Sequence, residues 1–312
     1  MCIRDSSYSG TADYTGYDTD SDLTTFNFAE QSDILRSWEH VTQYFAMFDV
    51  NVTTDDAARA ASTAWGWILI TEEESGGRAS TSTAAIGTPA YARAYAGSST
   101  VRDNDRSRRI AHELGHNFTL EHNGAWDGST FYKWEDFPSW DGLFGSIMGG
   151  GGDGVVNGWA LGISSDGIDI EQDSMAIIEQ RVRTLANSPA GWAVDQPEDP
   201  QPLCDDIYQV SRTAVLGHPQ DQDAFAFEWR GGSALIEVAP TEVSSADPVL
   251  TVFDSGDNVL GGPGYYPDLA PGTYRVVVQT RSDLPNGYDT ANLGGNGDVG
   301  RSELGAYRVR ID

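Results

Sequence analysis

The run Ile110-Ala-His-Glu-Leu-Gly-His-Asn-Phe-Thr-Leu-Glu-His122 decides how this chain is read. Its spacing is H-E-x-x-H with a further His six residues on, and it holds three of the five histidines in the chain. In an α-helix, residues four apart stand one turn apart on the same face. His112 and His116 can therefore present two imidazoles to one ion. Glu113 is turned by about 100° from His112, which sets its carboxylate beside the ion rather than on it. That placement suits a general base acting on water. His122 cannot share the face of an unbroken helix, so the chain is expected to turn after about Phe118 and bring His122 back as a third ligand. Three His ligands with an open fourth position mark a catalytic rather than a structural zinc site.

The flanking residues favour a helix. Asp103 or Asn104 can cap its start. Ile110, Ala111, Leu114 and Phe118 recur at helical spacing and are expected to face a core. Gly115 weakens a helix and is expected to admit a close neighbour, a strand or a substrate. Arg106, Arg108 and Arg109 lie near the helix start, where the dipole disfavours cations. They read as a solvated face or as partners for local carboxylates, without a catalytic role.

The motif resembles that of the metzincin zinc peptidases, which pair H-E-x-x-H-x-x-G-x-x-H with a later Met-turn. Ser146-Ile147-Met148-Gly149-Gly150 is similar to that turn, and the resemblance implies that Met148 supports the zinc ligands from below. Further likeness is to bacterial reprolysin-like secreted metallopeptidases. It rests on Phe48–Thr54, read as a strand entering a polar turn, on Trp140–Met148, and on Gln172–Ile178, read as a helix; it spans roughly residues 17–186. The resemblance implies one catalytic zinc held by His112, His116 and His122, with Glu113 as general base. The chain also departs from the pattern. Thr119 stands where the family has Gly. It is expected either to sit strained at positive φ or to belong to a turn rebuilt at negative φ. Asn123 stands where many relatives carry Asp, and no Tyr closely follows Met148.

Composition narrows the partners. Asp and Glu number 47 against 19 Lys and Arg, a formal charge of −28, which argues against nucleic acid or an anionic membrane. An acidic, Lys-poor chain suits secretion into salty water, where screening relieves self-repulsion. A structural calcium ion is the rival use of so many carboxylates, but no clear motif supports it. Asp18, Asp20 and Asp22 begin like an EF-hand loop, yet Leu23 and Ala29 occupy its Gly and final acidic positions, so the segment reads as a solvated acidic turn. No apolar run is long enough to span a membrane. Of the two cysteines, Cys2 lies in Met1-Cys-Ile-Arg-Asp-Ser6, which resembles a translated adapter; residues 1–7 are read as an artefact of the gene sequence. On that reading the chain is a fragment whose signal peptide lies outside it, and Cys204 has no internal partner.

The chain is expected to divide into a metzincin-like domain at 8–187, a proline-rich linker at 188–204 and a β-sandwich at 205–312. In the first domain, Ser32–Phe45 carries Ile34, Leu35, Trp38, Val41 and Phe45 at helical spacing. Trp67–Thr71 and the weaker Ala84-Ala-Ile-Gly read as strands. This is an α+β pattern, a twisted sheet with helices. In the second, Phe225, Phe227 and Trp229 alternate, and Leu235–Val238, Val249–Phe253, Tyr274–Val278 and Tyr307–Ile311 follow as short strands. Asp223–Phe227, Asp247–Val252 and Pro271–Val276 resemble the bacterial pre-peptidase C-terminal domain, which accompanies secreted peptidases. His218 reads as a surface residue, and Asp254 and Asp257 as turn formers. Trp126, Phe131, Tyr132, Trp134, Phe137 and Trp140 form either a cleft wall or a satellite cluster under a loop.

The expected function is a secreted, monomeric zinc endopeptidase acting on a protein or peptide. The alternatives are a catalytically impaired metzincin-like adhesin or binding module, handicapped at Thr119, and a zinc hydrolase of a non-peptide substrate. Retention of Glu113 favours catalysis, since binding alone needs no general base.

Overall fold

The computed structural model describes residues 17–62, 66–71, 75–79, 91–96, 103–126, 131–132, 144–149, 156–164, 171–185, 201–202, 210–217, 221–280, 288–289, 300–302 and 304–312. Four helices are present among them: α1 (Phe28–Tyr44), α2 (Asp56–Ala61), α3 (Asp103–Asn117) and α4 (Ser174–Leu185). The strands of the N-terminal part are β1 (Trp67–Thr71), β2 (Ser75–Arg78), β3 (Tyr91–Ala96), β4 (Asn123–Trp126), β5 (Phe131–Tyr132), β6 (Phe144–Ser146), β7 (Val156–Gly158), β8 (Ala160–Ser164) and β9 (Glu171–Asp173). Those of the C-terminal part are β10 (Gln201–Pro202), β11 (Val210–Leu216), β12 (Gln222–Trp229), β13 (Gly232–Pro240), β14 (Pro248–Phe253), β15 (Val259–Gly261), β16 (Gly264–Leu269), β17 (Gly272–Thr280), β18 (Tyr288–Asp289), β19 (Gly300–Ser302) and β20 (Gly305–Ile311).

Helix α1 begins four residues before the expected Ser32 because its start is fixed by a capping box. The Asn27 side chain accepts from the Glu30 N–H, and the Glu30 carboxylate accepts from the Asn27 N–H at 2.8 Å. Val41, Tyr44 and Phe45 are buried, whereas Leu35 of the expected apolar set is exposed. The helix delivers Phe45, Met47 and Phe48 to a core around Trp159, whose ring centroid lies 5.1 Å from that of Phe45. The indole N–H of Trp159 donates to the Tyr44 carbonyl at 2.6 Å, so this large ring is both buried and satisfied. The strand expected at Phe48–Thr54 does not form; only Phe48 makes an isolated bridge. The segment instead wraps α1, with the Trp38 N–H donating to the Val52 carbonyl at 2.8 Å.

Strand β1 pairs in parallel with β3, and β2 lies antiparallel on the other side of β3, giving the order β1-β3-β2. Among the described residues β2 is therefore an edge, and α3 packs across this sheet. Elsewhere β4 and β9 flank β8, α4 packs against β8 and β9, and β6 pairs with β7.

The C-terminal part holds two mainly antiparallel sheets, in the orders β10-β12-β17-β14-β15 and β11-β20-β13-β16. Period-two burial builds them. Asp223, Phe225 and Phe227 of β12 point inward, opposite Val278, Val276 and Tyr274 of β17. Ile236 and Val238 of β13 meet Ile311 and Val309 of β20. The apolar faces share one core in the manner of a β-sandwich. Asp254 forms the expected turn, its carboxylate accepting from the N–H groups of Gly256 and Asn258 at 2.8 and 2.9 Å.

Several contacts among the described residues join the two parts. β19 pairs antiparallel with β8, matching Arg301 with Ala160. The Thr241 hydroxyl donates to the Gln43 side-chain carbonyl at 2.7 Å. A Cβ on Gly305 would lie 3.7 Å from the Met47 methyl. Gln201 and Pro202, expected within the linker, are extended and paired beside β12. Residues 186–200, Cys204, His218 and the expected strand at Ala84 lie outside the described residues.

Candidate metal centre

Helix α3 carries the first two ligands, and its ending places the third. Thr119 has φ +74°. The Thr119 N–H donates to the His116 carbonyl at 2.8 Å, and the Leu120 N–H to the Gly115 carbonyl at 3.2 Å. These two bonds and the left-handed residue define a Schellman ending. Thr119 thus takes a left-handed conformation that Gly would take without strain, and does so with a β-branched side chain. Its hydroxyl accepts from Arg181 Nε of α4 at 3.2 Å, which offsets part of the cost. The reversal returns His122 to the helix face.

His116 Nε2 lies 3.1 Å from both His112 Nε2 and His122 Nε2. Tetrahedral arms of about 2.0–2.1 Å would separate donors by about 3.3 Å. The three nitrogens are therefore spaced for one small cation. The far side of each helical imidazole is engaged by the backbone. His112 Nδ1 lies 2.7 Å from the Ile147 carbonyl, and His116 Nδ1 lies 2.6 Å from the Leu120 carbonyl. A carbonyl only accepts, so each Nδ1 carries the proton and each Nε2 presents its lone pair inward. Burial, followed by the field of His116, holds the His112 imidazolium well below the usual range, so the ring is neutral as a ligand must be. This donor set fits zinc.

Glu113 is buried beside the ligands. Its Oε2 has no hydrogen-bond partner among the described residues, and burial raises its pKa to about 8. A cation on the neighbouring imidazoles would act in the opposite direction. The carboxylate lies directly over Gly77 of the edge strand β2, where a Cβ would collide with it.

Met148 lies in a turn packed against α3. Ser146–Gly149 form a turn closed by the Gly149 N–H on the Ser146 carbonyl at 3.1 Å. Met148 is wholly buried under α3, and a Cβ on Gly115 would stand 2.6 Å from its Sδ. The close neighbour that Gly115 admits is therefore this turn, not a strand or a substrate. The same turn positions Ile147, whose carbonyl holds His112.

Other expected residues fall differently. Arg106 and Arg108 are not a solvated face, being only 4% and 7% exposed. Arg106 approaches Asp33 at 3.5 Å and lies over the Tyr17 ring, while Arg108 donates to the Gly149 carbonyl at 2.9 Å. Arg108 thus braces the Met148 turn. Asp103 and Asn104 lie within the first turn of α3 rather than before it. The expected helix at Gln172 begins at Ser174, capped by Asp173, whose carboxylate accepts from the Ala176 N–H at 2.8 Å. Trp126, Phe131 and Tyr132 fall on the β4–β5 hairpin, whereas Trp134, Phe137 and Trp140 lie outside the described residues. Gly77 and Gln172 were not recognised from sequence, because their roles depend on which strand faces α3.

A second cluster of possible ligands, this one acidic, joins Asp18, Asp20 and Glu30. Its carboxylates are occupied by turn N–H groups and by Asn27, as in Asp20 N–H to Asp18 at 2.9 Å and Asn27 Nδ2 to Asp20 at 2.9 Å. The expected acidic turn is thus seen, closed by its own backbone. Among the described residues no helix is long and apolar enough to cross a membrane.

No family model matches the chain, and no curated protein matches it. Among solved structures, the pre-peptidase C-terminal domain of collagenase from Bacillus anthracis is 15% identical. That match covers 38% of this chain and 100% of that one, at a TM-score of 0.25. PliG from Salmonella Typhimurium, a periplasmic lysozyme inhibitor of g-type lysozyme, is 16% identical over 37% of this chain and 98% of its own, at a TM-score of 0.24. Likenesses this slight carry no argument about function, and the reading of the chain rests on its own residues.

Proposed function

We propose that this chain is a secreted zinc-dependent endopeptidase of the metzincin kind. The observation that carries the reading is the convergence of three Nε2 atoms beside a buried carboxylate whose Oε2 has no hydrogen-bond partner among the described residues. His112, His116 and His122 would hold the ion, and the carbonyls of Ile147 and Leu120 keep two of the rings in the ligating tautomer. Bound there, zinc supplies Lewis acidity, which polarises a carbonyl and makes water nucleophilic near neutral pH. Glu113 takes the proton released by the attacking water on its carboxylate and passes it to the leaving amine. Met148 supports the ligand platform from beneath.

The test is hydrolysis of a casein-like protein by the purified chain, with and without a chelator. Chelation abolishes cleavage and zinc restores it. Glu113→Ala keeps the metal, because the ligands remain, and loses most of the rate; general acid–base catalysis contributes about 10²–10⁴-fold. Unchanged cleavage in Glu113→Ala excludes the role given to that residue. Zinc retention without cleavage by the unaltered chain would favour a binding module or a hydrolase of another substrate.

A further inference from the structure

We infer that Gln172 is a positioning residue for the third metal ligand, a role that rests on the zinc reading above. The segment Leu120–Asn123 must hold His122 against two ligands fixed on a helix. Its ends are tied by backbone bonds, Leu120 N–H to Gly115 and Asn123 N–H to the Met148 carbonyl at 2.9 Å. Between those ties lie only Glu121 and His122. The side-chain amide of Gln172, 4% exposed on β9, takes hold on both sides of His122.

Its Oε1 accepts from the Glu121 N–H at 2.9 Å. Its Nε2 donates to the Glu121 carbonyl at 2.8 Å and to the Asn123 side-chain carbonyl at 2.6 Å. The amide thus acts as a strand partner for Glu121 and uses both its protons. The opposite orientation would set oxygen against oxygen and N–H against N–H, so the arrangement is unique. Asn123, with its carbonyl engaged by Gln172, donates through Nδ2 to the Ser146 hydroxyl at 3.1 Å. A buried polar chain therefore runs from Gln172 through Asn123 to the turn that carries Met148. Asn both accepts and donates here, which an ionised Asp cannot do.

Groups that orient metal ligands typically change metal affinity by about 10–100-fold when removed. Gln172→Leu keeps the bulk and loses all three bonds. Gln172→Glu keeps the size and one acceptor, but sets a carboxylate against two carbonyl oxygens. The experiment measures zinc affinity by chelator competition for the full chain, for both variants, for His122→Ala, and for both variants combined with His122→Ala. Zinc affinity falls about tenfold or more in Gln172→Leu and Gln172→Glu, while neither change matters further once His122 is gone. A merely structural residue would weaken zinc binding equally with and without His122, and that result overturns the assignment. So does unchanged affinity in either folded variant. If the unaltered chain takes up no zinc, the metal site itself falls, and this role with it.

Discussion

Gly115→Ala separates helix propensity from packing at the centre of the site. In an open helix this change stabilises by about 0.8–1.0 kcal/mol. Here the new methyl would stand 2.6 Å from Met148 Sδ and 3.2 Å from Trp159 Cζ3. Carbon contacts prefer about 3.5–4.0 Å, so the sulfur must retreat by roughly 1 Å. Met148 is fully buried and Trp159 is 1% exposed, with its N–H tied to Tyr44, so neither side can yield freely. Overpacking costs about 1–3 kcal/mol, and this confinement points to the upper half of that range. The net effect is a loss of about 1–2 kcal/mol, a fall in Tm of about 2–8 °C. Thermal unfolding in chelator measures it without a contribution from metal. The displaced turn also carries Ile147, whose carbonyl holds His112, so zinc affinity should fall too. In a Met148→Ala background the 2.6 Å sulfur contact is gone and Trp159 Cζ3 at 3.2 Å is the tightest neighbour left, so Gly115→Ala should then cost much less Tm. A rise in Tm in the unaltered background would refute the packing argument, leaving propensity in command.

Thr119→Gly should relieve roughly 1–2 kcal/mol of left-handed strain, less about 0.5–1 kcal/mol of chain entropy and a similar loss of the Arg181 bond. The expected change lies between a loss and a gain of about 1 kcal/mol by chemical denaturation, and a loss above about 1 kcal/mol would refute the strain. Gly77→Ala should lower kcat and leave zinc affinity intact, because its methyl displaces the Glu113 carboxylate; unchanged turnover would show that the carboxylate does not rest there. Limited proteolysis should cut first within residues 188–200. The two pieces should co-elute in gel filtration, held by β19 on β8 and by Met47 near Gly305; separate elution would contradict those contacts.

The parts legible in sequence are those whose cause is local. His112, His116 and Glu113 follow from helical spacing alone. The strands β12, β14, β17 and β20 follow from alternating burial that any half-buried sheet imposes. The turn at Asp254 follows from side-chain bonds to its own backbone. The parts that were not legible depend on distant partners. Gln172 holds Glu121 across 51 residues, and no spacing rule links them. Gly77 matters only because β2 is the edge that meets Glu113. The sequence allows Arg106 and Arg108 as a solvated face or as partners for carboxylates, and which of these holds depends on burial: Arg106 lies beside Asp33 and the Tyr17 ring, and Arg108 on the Gly149 carbonyl. Phe48–Thr54 has strand-like composition, yet α1 claims it through Trp38 and Val52. Thr119 lies between these cases: the motif requires the chain to turn there and leaves the sign of φ open, and the structure shows the left-handed alternative.

The central claim is most directly tested by metal analysis of the freshly purified chain alongside His112→Ala and His116→Ala. The account predicts about one zinc per unaltered chain, held through three imidazoles, and none retained by either variant. A chain that carries no zinc and takes up none when it is added would contradict the account.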